Sequence, residues 1–465
     1  MTDAGARQTY ATPQVGREIR IGRGVNVAVV GCGHVGLVMA AGLAELGHTV
    51  VGVDRDEELV RQLCSMQIGI REPGLDELVA RGLSSGRLLF TTSYDVAVPE
   101  ADFIFLAVDT PETLGGAADL RNIRSATASI AGSLNGLTPI IVNKSTSPIG
   151  TGETIEGILA RALADRQRPP RIVSNPEFLR QGQAVQDFFK PDRIVIGGSP
   201  DDARAVAALY ADLPGPVIIT DLRTAEMIKY VANSFLATRI SFINEIARLC
   251  EQLEVEIDQV VSGISYDPRI GDHFFRPGIG FGGSCLPKDV AALRYMGETF
   301  GVSTPILSAV QNVNDAQQAS AVRRLRSRLG TLENRTIAVW GVTFKGETED
   351  VRHSPALNVI SLLMNEGAVV RAYDPAAPES APAKIRELYA PSALEAARDA
   401  EALAILTDWP EFGRIPLQQV RAIMRGPVLF DGRNVVSRAE AEAAGFAYLG
   451  VGRVARAPNR RRTDR

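Results

Sequence analysis

The stretch Gly280-Phe-Gly-Gly-Ser-Cys285-Leu-Pro-Lys288-Asp289 surrounds a thiol with what a nucleophilic thiol needs. Its glycines let backbone approach a ligand closely. Pro287 suits the first turn of a helix, which places Cys285 at a helix N-terminus with Lys288 nearby. Both neighbours favour the thiolate. Most cysteines are inert core residues, but the glycine loop, the helix start and the Lys-Asp pair together make Cys285 a candidate nucleophile. Lys229 and Asn233 stand four residues apart, so on a helix they share a face and can hydrogen-bond a developing alkoxide. The same spacing also describes a solvated helix face. Thr146, in Lys144-Ser-Thr146, and Glu177, in Asn175-Pro-Glu177, are polar groups able to reach a substrate or water, or are ordinary loop polars.

A second kind of chemistry is dinucleotide binding. Gly31-Cys-Gly-His-Val-Gly36 follows the apolar run Val25 to Val30 and precedes an apolar helix, Leu37 to Leu46. Gly31 permits the tight turn, Gly33 admits a pyrophosphate, and Gly36 allows close helix–strand packing. The helix N-terminus attracts the negative charge. Asp54 ends the next strand, Thr49 to Val53, at the offset expected of a ribose-binding carboxylate. A carboxylate there repels a 2′-phosphate, so NAD is favoured over NADP; only the adjacent Arg55 suits NADP. In the C-terminal half, Phe344-Lys345, Arg352 and Arg433-Asn434 are basic groups near strand ends, where a phosphate can sit or where plain surface charge can lie.

These residues need a scaffold. Ala101 to Val108 and Thr138 to Asn143 read as further buried strands, and strands alternating with helices imply a parallel sheet covered on both faces. Thr224 to Gln252 contains neither Pro nor Gly. Ile228, Val231, Phe235, Phe242, Ile246 and Leu249 form one apolar stripe along it, which predicts a long helix and a homo-oligomer. More helix is expected over Ala291–Phe300 and Ile306–Leu329. The last part repeats the first: Thr336 to Gly341 as a strand, Ser354-Pro355 opening a helix, and strands at Ala368–Asp374, Ala402–Leu406 and Val428–Asp431. The fold class is therefore α/β, with two doubly wound Rossmann-like halves joined by a helical centre. The expected organisation is an N-terminal extension (1–24), a cofactor domain (25–220), a helical dimerisation and catalytic region (221–330), a second Rossmann-like domain (331–452) and a basic disordered tail (453–465).

A net charge of −4 gives no global case for nucleic acid. No apolar run approaches the roughly 20 residues of a membrane helix. The first residues lack the apolar core of a signal peptide. Cys32, Cys64, Cys250 and Cys285 form no paired motif, and the four histidines show no ligand spacing, so neither a disulfide framework nor a metal site is expected. A reducing, cytoplasmic setting fits.

Longer stretches carry a resemblance. They are Lys144-Ser-Thr-Ser-Pro-Ile-Gly-Thr151, Asn175-Pro-Glu-Phe-Leu-Arg180, Pro191-Asp-Arg-Ile-Val-Ile-Gly197, Ala225-Glu-Met-Ile-Lys-Tyr-Val-Ala-Asn233, Ser241-Phe-Ile-Asn-Glu-Ile246, Gly280 to Asp289, and Trp340-Gly-Val-Thr-Phe-Lys-Gly346. From about Asn26 to Asn434 the chain resembles the UDP-glucose/GDP-mannose dehydrogenase family. The resemblance implies an NAD-dependent four-electron oxidation of a nucleotide sugar, UDP-glucose to UDP-glucuronate, in a homo-oligomer. It implies that Cys285 is the nucleophile, that Lys229 and Asn233 stabilise the oxyanion, that Asp289 assists a water or the lysine, and that Thr146 and Glu177 handle water and the thioester. For the cofactor it implies Gly31, Gly33, His34, Val35, Gly36, Asp54, Thr110, Thr146, Lys288 and Arg352. For the sugar nucleotide it implies Glu177, Phe178, Leu179, Lys229, Asn233, Arg269, Phe275, Gly282, Lys345 and Arg433, with Arg269 reaching a neighbouring subunit's substrate.

Two departures stand out. Residues 109–111 read Asp-Thr-Pro where Gly-Thr-Pro is usual, which puts a charge near the expected nicotinamide side. Arg71 precedes Glu72-Pro-Gly-Leu75 where an aromatic is typical. In the implied mechanism the first oxidation gives an aldehyde, Cys285 captures it as a thiohemiacetal, and a second oxidation leaves a thioester that water releases. The alternatives are GDP-mannose or a UDP-N-acetylhexosamine as substrate, a two-electron hydroxyacid dehydrogenase, which would not need Cys285, and a sugar-nucleotide-binding protein without turnover.

Overall fold

The structure is a computed structural model that describes residues 24–134, 138–162 and 169–454. The expected N-terminal extension lies outside the described residues except for Gly24, and the basic tail lies outside them except for Arg453 and Val454. Arg453 itself is folded: its guanidinium donates to Asp258 and to the Tyr448 hydroxyl. The chain divides into two compact units, with the division at Ala232 and Asn233.

The first unit is built on an eight-stranded sheet. Its strands are β1 (Asn26–Val30), β2 (Thr49–Val53), β3 (Leu88–Thr91), β4 (Phe103–Leu106), β5 (Ile140–Asn143), β6 (Arg171–Ser174), β7 (Ile194–Gly198) and β8 (Val217–Thr220). They lie in the order β3-β2-β1-β4-β5-β6-β7-β8. The order reverses between β1 and β4, and ligands of such sheets bind beyond the strand ends there. Every residue of β4 and β5 is buried, which is why these strands read as unbroken apolar runs. The sheet is not wholly parallel as expected: β6 and β7 pair antiparallel. Nor is it covered throughout, because Val217, Ile218 and Ile219 of the edge strand β8 are exposed.

The second unit has a five-stranded sheet of β9 (Thr336–Trp340), β10 (Val369–Tyr373), β11 (Ala402–Ile405), β12 (Val428–Asp431) and β13 (Ala447–Gly450), in the order β10-β9-β11-β12-β13. All its pairings are parallel. Helices Leu286–Thr299 and Pro305–Leu329 belong to this unit. Helix Pro355–Asn365 opens at Ser354 as predicted, but the Ser354 hydroxyl donates to the Val342 carbonyl instead of capping the helix.

The long helix, Leu222–Leu253, runs through the division between the units. Its faces are arranged unlike those of a core helix. Val231, Phe235, Phe242 and Leu249 of the predicted stripe are exposed. The buried face mixes Tyr230, Ala237, Ile243 and Ala247 with the polar Lys229, Asn233, Ser234, Ser241 and Asn244.

Candidate active site

In the first unit, polar residues collect just beyond the C-terminal ends of parallel strands. After β1, Gly31 adopts φ +96°, and a Cβ there would lie 2.5 Å from the Ala107 carbonyl oxygen. A Cβ on Gly36 would lie 1.8 Å from the Gly31 carbonyl oxygen. Both positions therefore require glycine for packing. Gly33 differs, since a Cβ there meets nothing within 4 Å. It is the N-cap of helix His34–Glu45, whose first amides have no side-chain cap. Open space above uncapped amides fits a pyrophosphate. Asp54, just after β2, accepts from the Cys32 amide at 2.7 Å, which aims its carboxylate at the same turn. These residues fit NAD. His34 Nε2 lies 2.9 Å from the buried Glu72, which also accepts from the amides of Gly182 and Ala184. Thr110 donates to the Thr146 carbonyl at 2.6 Å and so ties two strand-end loops together. The Asp109 side chain is exposed.

The second Rossmann-like half has closed the equivalent position. Asp374, after β10, matches Asp54 in placement. Its Oδ2 accepts from the Val342 and Thr343 amides and the Thr343 hydroxyl, and the Trp409 ring N–H lies at 3.3 Å. Asp374 is buried, so no ribose-binding carboxylate is presented there.

Glu177 follows β6 and is 6% exposed; Lys229 is 4% exposed. Lys229 Nζ lies 3.0 Å from Glu177 Oε1, and Glu177 Oε2 accepts from the Leu179 amide. Burial pushes the Glu177 carboxyl up, but the Lys229 charge, the Leu179 N–H and the Lys144 charge outweigh it and hold the group below its ordinary range. Phe178 stacks between cations, with the Arg193 guanidinium 3.7 Å and Lys229 Nζ 5.3 Å from its ring centroid. The alternative of a solvated helix face for Lys229 and Asn233 is thereby excluded.

In the second unit, Cys285 is the N-cap of helix Leu286–Thr299, with Pro287 in the first turn. Its sulfur lies 3.6 Å from the Ser284 hydroxyl. Lys288 is turned toward Asp289 Oδ1 at 2.7 Å. Asp289 is 1% exposed, and its Oδ2 accepts from Asn233 Nδ2 at 2.6 Å. The carboxylate thus fixes the Asn233 amide, whose second N–H can donate elsewhere. The loop before Cys285 is shaped by steric necessity. Gly280 has φ +110°, where a Cβ would lie 2.6 Å from Asn314 Oδ1. A Cβ on Gly282 would lie 2.3 Å from the His353 carbonyl oxygen.

Other residues predicted to touch the sugar nucleotide, and Arg352 predicted to touch the cofactor, engage protein groups in this structure. Arg433 donates to the carbonyls of Leu406, Gly280 and Phe344. Phe275 is buried beneath Arg239, whose guanidinium is 4.1 Å from the ring centroid. Arg269 is exposed and forms a forked pair with Asp267, and Arg352 makes the same pair with Asp350. Lys345 Nζ lies 5.5 Å from the Phe344 ring centroid.

Two residues of this neighbourhood were not singled out from the sequence. Glu72 opens the stretch Glu72-Pro-Gly-Leu75, where nothing local in the sequence shows that it buries its carboxylate. Lys144, directly after β5, donates to Asn175 Oδ1 at 3.0 Å. Its position at a strand end was the available signal.

Comparison with known proteins covers most of the chain. The UDP-glucose/GDP-mannose dehydrogenase family matches in three parts: its NAD binding domain over residues 25–214, its central domain over 223–316 and its UDP binding domain over 338–438. The UDP-glucose 6-dehydrogenase TuaD of Bacillus subtilis is 43% identical over 92% of this chain and 93% of its own length. A UDP-glucose dehydrogenase structure from Pyrobaculum islandicum superposes with a TM-score of 0.84 at 39% identity, covering 95% of this chain and 100% of that one. A UDP-D-ManNAc dehydrogenase structure from Pyrococcus horikoshii gives 0.83 at 28% identity, covering 92% and 99%.

Proposed function

The chain belongs to the UDP-glucose/GDP-mannose dehydrogenase family, and on that premise we propose that it oxidises UDP-glucose to UDP-glucuronate with NAD in two successive two-electron steps. The observation that carries the four-electron reading is the Cys285 neighbourhood: a thiol at a helix N-cap, four residues before a buried carboxylate that grips Asn233. A two-electron alcohol dehydrogenase needs none of this. UDP-glucose is preferred among nucleotide sugars because the 39–43% identities are to proteins named for it, against 28% for the UDP-D-ManNAc enzyme.

When bound, NAD supplies the hydride acceptor for each oxidation. The chain's own residues do the rest. The uncapped amides after Gly33 and the Asp54 carboxylate hold the dinucleotide. Lys229 and Asn233, one turn apart on the long helix, donate hydrogen bonds to the C6 oxygen as it gains negative charge. The Cys285 sulfur adds to the aldehyde carbon, and the carbonyl oxygen becomes the thiohemiacetal hydroxyl. Loss of hydride and proton from that adduct leaves a thioester. Water then adds at the acyl carbon, the C–S bond breaks, and the carboxylate departs while the thiol recovers its proton. Glu177, Thr146 and Asp289 are the groups available to orient that water.

The exposed Val231, Phe235, Phe242 and Leu249 support a homo-oligomer assembled through the long helix. Among the described residues no helix is long and apolar enough to cross a membrane. The cytoplasm, where thiols stay reduced, is the setting in which Cys285 can act. Initial rates of NADH formation with UDP-glucose, UDP-N-acetylmannosamine and GDP-mannose test the substrate. The proposal expects the highest kcat/KM with UDP-glucose, and a higher value with either other sugar overturns it.

A further inference from the structure

One charged group beside the Glu177–Lys229 pair has no part in the mechanism above. Lys144 is part-buried and follows β5, where its amide is anchored to the Leu106 carbonyl of β4. Its ammonium donates to Asn175 Oδ1 at 3.0 Å. The same oxygen accepts from the Tyr210 hydroxyl at 2.7 Å, while Asn175 Nδ2 donates to the Val195 carbonyl of β7. Asn175 is therefore held from three elements, and it lies two residues before Glu177. Around Lys144 the titratable groups are Glu177 on its loop, Lys229 on the long helix and Tyr210. Burial pushes the Tyr210 phenol far up, so it stays neutral.

We propose that Lys144 is a positioning residue for the oxidation: it fixes the loop that presents Glu177 and adds a second positive charge to the surroundings of the Glu177–Lys229 pair. This rests on the reading of Glu177 and Lys229 as site residues. Two lysines and one carboxylate share a poorly solvated neighbourhood, so they titrate as a coupled set. Burial pulls the Lys144 ammonium down, Glu177 pulls it partly back up, and the like charge of Lys229 lowers it again, which leaves it at about 8. Coupling is reciprocal, so the Lys144 charge makes each proton on the pair easier to lose.

The test is the pH dependence of kcat in Lys144→Gln, which keeps a donor for Asn175 and drops the charge. With the charge gone, the kcat limb set by the Glu177–Lys229 pair is expected to move to higher pH by roughly half a unit or more. The KM for NAD is expected to stay within about twofold. Tyr210→Phe removes the other donor to Asn175 and leaves the charge, so its limb is expected to stay in place. An unmoved limb in Lys144→Gln, or an equal shift in Tyr210→Phe, overturns the proposal. If Lys144→Gln does not fold, Lys144→Met, which also drops the charge, is read in its place with the same two outcomes. A wild-type protein that makes no NADH from any nucleotide sugar overturns the underlying reading instead, and this proposal with it.

Discussion

The Lys229 ammonium lies 3.0 Å from a Glu177 carboxylate oxygen, and both side chains are almost wholly buried. One turn along the same helix, Asn233 is held by Asp289. Each proposed oxyanion donor is thus oriented by its own buried acid. Desolvation makes such pairs costly to break.

Glu177→Gln removes the negative charge from the buried Glu177–Lys229 pair. Breaking a buried pair in this way costs about 3–5 kcal/mol of stability, measurable by urea unfolding at neutral pH. The folded Glu177 carboxyl titrates below its ordinary range, so its contribution is present above that range and is lost as pH falls through the lower, folded value. The stability gap between wild type and Glu177→Gln should therefore narrow in acid. A gap independent of pH would argue against the pair.

Cys285→Ser keeps a small polar group at the N-cap but removes the thiol. Acid formation should fall by at least ~10³-fold, since covalent capture and thioester hydrolysis both need the sulfur. Full turnover in this variant would rule out the covalent role.

Two glycine substitutions separate ligand space from packing. Gly33→Val places its side chain in open space, so the fold should persist while the KM for NAD rises about tenfold or more. A Cβ on Gly36 would lie 1.8 Å from the Gly31 carbonyl oxygen, so Gly36→Ala should lower stability by about 1–3 kcal/mol. Thermal melts with and without NAD distinguish the two effects.

Phe235→Asp puts a charge in the exposed apolar face of the long helix. Light scattering should give at least twice the chain mass for wild type and a lower mass for the variant. An unchanged mass would place the oligomer contact elsewhere.

Much of this was legible in the sequence because the relevant signals are local. The glycine fingerprint, Asp54 at its strand end and Cys285 before Pro287 each report a turn or a helix start. Long-range placement was not legible. The apolar stripe of the long helix marked an exposed face, while Lys229 and Asn233 lie on the buried one. Burying them depends on Glu177 and Asp289, which are 52 and 56 residues away in sequence. Arg433 read as a phosphate site or as plain surface charge because it is basic and follows a strand; its bonds to three carbonyls, brought together only by folding, have no local signal. The antiparallel β6–β7 pairing leaves no local signature either.

The central claim is a four-electron oxidation of one nucleotide sugar. Limiting UDP-glucose with excess NAD, followed to completion by absorbance, measures it directly. The account predicts about two NADH for each sugar consumed, with UDP-glucuronate as the product. About one NADH per sugar, with the aldehyde accumulating, would contradict it.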